Sequence, residues 1–176
     1  MASILTHAAV ALGLGDVVYG GKRPASFWIA SAACSILPDA DAIGFRLGIP
    51  YASAFGHRGF THSLLFALLV GAVASGFRGW KLLLYFFAVT ASHGVLDALT
   101  NGGLGVEFFW PFDTARYFFP WRPVQVSPIG ISAFIGRWGL KVLATEFLYV
   151  WIPVGVAVSI ARRWLGRRGA GDRPSP

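Results

Sequence analysis

Ionisable side chains are scarce in this chain, and those with distinctive chemistry sit in or beside its long apolar segments. All four histidines fall in short motifs: Thr6-His7, His57-Arg58-Gly59-Phe60-Thr61-His62-Ser63 and His93-Gly94-Val95-Leu96-Asp97. Pro38-Asp39-Ala40-Asp41 adds two carboxylates at the end of another apolar run. The chain is 55% hydrophobic and 13% charged. An unpaired ionisable group inside an apolar helix costs several kcal/mol, so such groups pair with one another or bind metal. These histidines and aspartates therefore constrain both the packing and the function.

A length of 176 residues suits one domain. A mean hydropathy of +0.60 with so few charges is the composition of an integral membrane protein. The formal charge of +7 raises the possibility of nucleic acid, but the basic residues form no single stripe. Arg162, Arg163, Arg167 and Arg168 instead crowd the end of the last apolar segment, as cytoplasmic flanks of a membrane helix do. The single cysteine, Cys34, excludes an intramolecular disulfide and is expected to be a small buried hydrophobe. The N-terminal stretch lacks a basic leader region and carries His7, so a retained helix is expected rather than a cleaved signal.

Apolar runs predict helices over residues 3–18, 26–37, 62–77, 80–99 and 143–160. Breaks fall at Gly20-Gly21-Lys22-Arg23-Pro24, at Pro38, at Arg78-Gly79 and at Asn101-Gly102-Gly103. Thr61 is the expected N-cap of the third helix, Pro153 is a candidate kink in the last, and residues 39–60 are expected to be a loop. Residues 106–123 are crowded with aromatics, which suits a membrane–water interface. A short amphipathic helix is expected over 129–141. The fold expected is all-α, an integral membrane bundle of about four to six helices with an interfacial aromatic loop. Residues 1–165 form the domain and 166–176 a flexible basic tail.

Orientation follows from the basic turns. With the arginine-rich C-terminus in the cytoplasm, alternation of spans puts Lys22-Arg23 and Arg78–Lys81 on the same side. It also sends His7, Asp39, Asp41, His57, His62, His93 and Asp97 together toward the other side. The expected location is a multi-pass protein of the inner cell membrane with its site extracytoplasmic.

His93 and Asp97 are four residues apart in an apolar helix, one turn apart on one face. Taken alone, the pair is equally a buried hydrogen bond or half of a cation site. His57 and His62 flank a turn through Gly59, and the Asp39 and Asp41 carboxylates alternate after a helix stop. Either element alone is ordinary. Together they offer nitrogen and carboxylate ligands with no thiolate, which suits Zn, Mn or Fe. The set His7, Asp39, Asp41, His57, His62, His93 and Asp97 exceeds one tetrahedral site and suits one or two divalent ions. Arg58 is a candidate for holding a phosphate oxygen, or else an interfacial arginine. Arg116 and Arg122 are candidates for the same role, and Glu107 and Asp113 in the aromatic loop are candidates for an added ligand or a proton relay, or else surface loop carboxylates. There is no Ser-His-Asp motif, P-loop or Rossmann fingerprint.

At these residues the chain resembles the YdjM-like family, known as LexA-regulated, membrane-bound, predicted metal-dependent hydrolases. The elements that match are Thr6-His7, Pro38-Asp39-Ala40-Asp41, the His57 to Ser63 motif, His93-Gly94-Val95-Leu96-Asp97-Ala98-Leu99-Thr100, and Trp110-Pro111-Phe112. The family is distantly similar to zinc-dependent phospholipase C and related zinc nucleases, which are all-helical. The resemblance implies His7, Asp39, His57, His93 and Asp97 as ligands, with His62 and Asp41 as ligands or their supports. It implies a hydrolase acting through metal-activated water on a phosphoester, in a membrane lipid or lipid-linked substrate, with zinc as the first expectation. Asp41, His62 and Arg58 are the residues expected to act in catalysis. The competing reading is a non-catalytic metal-binding membrane protein or an ion transporter, and no nucleic-acid partner is expected.

Overall fold

In a computed structural model, residues 1–20 and 22–171 are described, with side chains for all of these except Ile131 and residues 166–171. The fold is all-α: α1 (Ile4–Tyr19), α2 (Ala25–Ile36), α3 (Leu64–Ser75), α4 (Trp80–Ala98), α5 (Ile131–Phe134), α6 (Arg137–Glu146) and α7 (Ile152–Gly171). Among the described residues extended pairing is limited to isolated bridges, Thr100 with Val124 and Val106 with Tyr117.

Local chemistry sets the helix ends. The Ser3 side chain caps α1 by accepting from the Thr6 N–H, and Gly20 closes it at φ 64°. Ser63, not Thr61, caps α3 by accepting from the Phe66 N–H at 3.1 Å. The helix therefore starts later than the apolar run indicated, and Phe60–His62 forms a separate 3₁₀ turn. Pro38 ends the α-helical pattern of α2, but the chain tightens into a 3₁₀ helix, Leu37–Leu47, instead of becoming the expected loop. Asp39 and Asp41 thus stand on an ordered element, a long one for this geometry.

The expected helix over 129–141 is broken into α5 and α6 at Gly136, whose φ of 144° ordinary residues rarely adopt. Residues 147–151 form a π-helical turn in which the Ile152 N–H donates to the Phe147 carbonyl, one residue before Pro153. A proline lacks the N–H for the usual α-helical bond and crowds the preceding turn, so the wider turn absorbs it without a break. The helix continues through Gly171 into the stretch expected to be a tail. The tail's final residues, 172–176, lie outside the described residues.

The all-α class agrees with the sequence, and the span count agrees only in part. Among the described residues one helix, Arg137–Leu165, is long and apolar enough to cross a membrane. The helices α1 and α3 are apolar but shorter. In α4, His93 and Asp97 occupy the final turns and dilute an otherwise apolar run.

Two apolar clusters hold the helices together. Ala11, Cys34, Tyr85, Phe86 and Val89 join α1, α2 and α4. Ala2, Val10, Leu96, Val124 and Val150 join α1 to the end of α4 and the π turn. At Gly71 of α3, a Cβ would lie 2.9 Å from the Phe87 backbone nitrogen, so glycine is what lets α3 and α4 touch.

The start of α1 faces Glu146, which accepts the Thr6 hydroxyl at 2.8 Å, while its other end is tied to the last helix by Asp16–Arg162 at 3.3 Å. The helices α1 and α7 therefore run in the same direction. Lys22, Arg78, Lys81 and Arg162 lie toward the end opposite the start of α1, because they follow α1, precede α4 or lie late in α7.

Candidate metal centre

Five separate pieces of chain converge at the start of α1. His7 comes from the first turn of α1, Asp39 and Asp41 from the 3₁₀ helix, and His57 and Arg58 from the loop after it. His62 comes from the short 3₁₀ turn, and His93 and Asp97 from the end of α4. Gly94 makes part of this approach possible, since a Cβ there would lie 3.0 Å from the His62 carbonyl oxygen. All seven residues expected to ligate metal lie in this region.

The innermost group is Asp39, His62, His93 and Asp97, each with one donor atom within 4.8 Å of all the others. His93 Nε2 lies 3.3 Å from Asp39 Oδ1, and His62 Nε2 lies 3.8 Å from the same atom and 3.6 Å from Asp97 Oδ2. Ligands about 2.0–2.1 Å from a tetrahedral ion stand roughly 3.4 Å from one another, close to this spacing.

Hydrogen bonding settles which ring atoms face inward. His93 Nδ1 donates to the Ser35 carbonyl at 2.7 Å, because a carbonyl only accepts, so Nε2 presents its lone pair. Asp39 and His93 are buried, and neither Asp39 oxygen nor His93 Nε2 has a hydrogen-bond partner. The His62 Nε2 is equally unpartnered. Arg58 and the Met1 amine lie beside Asp97, 3.0 and 3.8 Å from its Oδ2, whereas Asp39 is buried with no hydrogen bond to either oxygen, and a divalent cation in place of the His62 proton fits that deficit.

Asp41 holds the neighbouring rings. Its Oδ1 is 2.6 Å from His57 Nδ1, and its Oδ2 is 3.3 Å from His62 Nδ1. Oδ2 also accepts the Thr61 hydroxyl at 2.6 Å and the Arg58 backbone N–H at 3.2 Å. A carboxylate on the far nitrogen of a ligating histidine fixes the ring and makes it more basic. Burial disfavours the Asp41 anion, but hydrogen bonds from His57 and His62 outweigh it and hold the carboxyl well below the usual carboxylate range. Burial likewise pushes His62 down, yet its contacts with the Asp41 and Asp97 carboxylates win and raise it to about 9. His57 belongs to this second group, Asp41–His57–His62, and not to the innermost four.

His7 stacks on His93 with ring centroids 3.7 Å apart, and its Nε2 lies 3.5 Å from Asp97 Oδ1. Neither of its ring nitrogens has a hydrogen-bond partner. Asp97 also accepts the Ala2 backbone N–H at 2.7 Å.

Arg58 does not stand ready for a phosphate. It is fully buried at a φ of 65°, rare for a large side chain. Its Nε lies 3.0 Å from Asp97 Oδ2, and the other nitrogens donate to the Gly102 carbonyl at 2.8 Å and the Thr100 hydroxyl at 3.0 Å. Gly103 leaves the space, since a Cβ there would lie 2.7 Å from the guanidinium. Arg116 is similarly committed, to Glu107 at 2.8 Å and to the carbonyls of Tyr51, Ser53 and His57. Asp113 pairs with the Tyr117 hydroxyl on the exposed loop, and Arg122 stacks over Phe118.

Sequence reasoning passed over Glu146. It is fully buried and accepts from the Ser3 N–H at 2.5 Å, the Ser3 hydroxyl at 2.6 Å and the Thr6 hydroxyl. The cost argument applied to the histidines, a carboxylate inside an apolar segment, singles it out equally.

These features define an all-helical protein with a buried His and Asp cluster suited to a metal ion, on a chain with one helix able to span a membrane. The chain belongs to the YdjM inner membrane protein family, whose pattern matches residues 1–167. It is 36% identical to inner membrane protein YbcI of Escherichia coli (strain K12), over 87% of this chain and 92% of that one. It is 35% identical to inner membrane protein YdjM of the same organism, over 73% and 67% respectively. Protein YvsG of Bacillus subtilis (strain 168) is 32% identical over 51% of this chain and 61% of its own. No solved structure matches the chain. The relatives' names support an inner-membrane location for this protein.

Proposed function

We propose that this protein is a membrane-embedded, metal-dependent hydrolase that cleaves a phosphoester in a lipid or lipid-linked substrate. The observation that carries the reading is the Asp39 carboxylate, buried and unpartnered, with the unpartnered Nε2 atoms of His93 and His62 turned toward it. Asp39, His62, His93 and Asp97 are the residues to hold the ion, with zinc favoured and manganese or iron as alternatives. A bound divalent ion supplies acidity to water and draws charge from a phosphoryl oxygen.

The chain's own residues support that chemistry. Asp41 keeps His62 and His57 oriented through their Nδ1 atoms. Arg58 balances the charge of Asp97, and His7 offers a further unpartnered nitrogen beside it. Away from the site, α1, α2 and α4 pack through Ala11, Cys34, Tyr85, Phe86 and Val89, and the buried polar residues among them, Ser31 and Thr90, carry no charge. That packing favours a closed site at one end over an ion conduit, which needs polar groups along its length. The site lies at the end away from Lys22, Arg78, Lys81 and Arg162, which supports a multi-pass protein with an extracytoplasmic site and a cytoplasmic C-terminus.

The test is metal analysis of the detergent-purified protein, with hydrolysis of phospholipid vesicles followed by phosphate or headgroup release. Stoichiometric zinc or manganese is expected, with both metal and activity lost in His93→Ala and Asp97→Ala. Full activity in both variants after chelation overturns the reading.

A further inference from the structure

A trench of about 430 Å³ has Asp39 in its lining. Its walls include Ile4 and Leu5 from the start of α1, Ala42 from the 3₁₀ helix, and Ile129 and Phe134 from the segment before α6. No lysine or arginine lines it, and Met1, which does, has its amine 3.8 Å from Asp97. Asp39 is its one carboxylate, buried with neither oxygen hydrogen-bonded. Ile4, Leu5 and Ile129 are each about half exposed, so the trench is open at its outer edge.

We infer that this trench seats one hydrocarbon chain of a membrane lipid, with the lipid's polar end directed at Asp39. The inference rests on the hydrolase reading for the fate of the headgroup, but not for the seat of the tail. An apolar trench with one buried carboxylate in its lining matches an amphiphile and nothing wholly polar. The walls carry no lysine or arginine, and the Met1 amine is paired with Asp97, which argues against a soluble polyanion, whose phosphates need several cationic contacts. The occupant is at hand, because the chain belongs to a family of inner membrane proteins and the trench opens beside exposed apolar side chains.

The protein, reconstituted in vesicles of phosphatidylethanolamine and phosphatidylglycerol, is irradiated with a phospholipid carrying a diazirine at the end of one acyl chain. Crosslinked peptides are mapped by mass spectrometry, and metal content is measured on the same samples. The label is expected at Ile4, Leu5, Ile129 and Phe134 above the level at the outward-facing Val156 and Ile160 of α7. Ala42→Phe fills the trench, and Ile129→Asp places a charge in its wall at a half-exposed position. Each removes the contact of roughly two methylenes and lowers trench labelling about tenfold relative to α7. Labelling that is uniform over the apolar surface, or unchanged in both variants, overturns the inference. Bound metal without trench labelling removes the inference alone. Trench labelling of a metal-free protein removes the hydrolase reading and keeps the tail seat.

Discussion

Glu146 accepts the hydroxyl of Thr6 across 2.8 Å, linking the end of α6 to the first turn of α1 one residue before His7. The Trp151 indole N–H also donates to the Thr6 hydroxyl oxygen, at 2.7 Å. Glu146→Ala strands three buried donors of Ser3 and Thr6 and is expected to destabilise the protein by about 3 kcal/mol. That corresponds to a Tm lower by roughly 6–12 °C, measured by thermal unfolding in detergent. Glu146→Gln keeps an acceptor and should lose less. Equal stability of Glu146→Ala and wild type contradicts the assigned role.

Arg58 separates the expectation from sequence most sharply from the structure. A phosphate clamp predicts that its removal weakens substrate binding and leaves stability alone. The geometry predicts the reverse, because Arg58 is the close cationic partner of the fully buried Asp97. Arg58→Ala is expected to cost about 3 kcal/mol by removing the nearest cation of that carboxylate, which keeps only the Met1 amine at 3.8 Å and the His62 ring at 3.6 Å. Arg58→Lys keeps the charge but loses the fork to Gly102 and Thr100, and should fall between. A variant that unfolds like wild type while its KM rises restores the clamp.

Asp41 and Asp39 look alike in sequence, two residues apart, yet their loss should differ in degree. Asp41 accepts hydrogen bonds from a ring and a hydroxyl, whereas neither Asp39 oxygen is hydrogen-bonded and its Oδ1 lies 3.3 Å from His93 Nε2. Asp41→Asn is expected to weaken metal affinity about 10–100-fold through misoriented His62 and His57. Asp39→Asn removes a ligand charge and should weaken it further. Competition with a chelator of known affinity ranks the two, and an inverted order contradicts the assignment.

The helix at residues 80–98 and the convergence of histidines and aspartates were legible in the sequence, because burying such groups in apolar segments is costly and leaves few arrangements. The 3₁₀ helix after Pro38 was not, since proline marks the end of an α-helix without dictating the geometry of the next turn. Nor could spacing reveal that His62, rather than His57, joins Asp39, His93 and Asp97. That depends on the backbone turn at Phe60–His62 and on Gly94 admitting the His62 carbonyl. The role of Arg58 was invisible because its partners Asp97, Thr100 and Gly102 lie about forty residues away in sequence, across a tertiary contact.

Metal binding should depend on pH with a definite sign. In the metal-free protein His62 is raised to about 9, so below that pH it carries a proton that a cation must displace. Affinity is therefore expected to tighten about tenfold per pH unit as pH rises from neutrality toward 9, then level off. The stability of the metal-free protein should move the other way. A raised histidine stabilises the fold fully below its unfolded value of 6.5, and that contribution is lost as pH rises through about 9. The depressed Asp41 contributes at all pH above its unfolded value of 3.8 and is lost only on further acidification. Metal titrations and thermal unfolding of chelated protein across pH 6–9 test both signs. A pH-independent affinity removes His62 as a protonated occupant of the site.

The two ends of the molecule should face opposite sides of the membrane. Cys34, the chain's single cysteine, is buried, so Cys34→Ser supplies a background for placed thiols. Ala52 is exposed in the loop beside the His and Asp cluster, and Lys22 is exposed after α1 at the other end. In intact spheroplasts a membrane-impermeant maleimide is expected to label Ala52→Cys and to spare Lys22→Cys until the membrane is opened. The asymmetry follows from basic turns being retained in the cytoplasm while the short loops between spans alternate sides. The reverse pattern inverts the orientation and puts the site on the cytoplasmic face. Labelling of both positions in intact spheroplasts places the two ends on one side, and the packing of α1 beside α7 would then need an explanation other than paired spans.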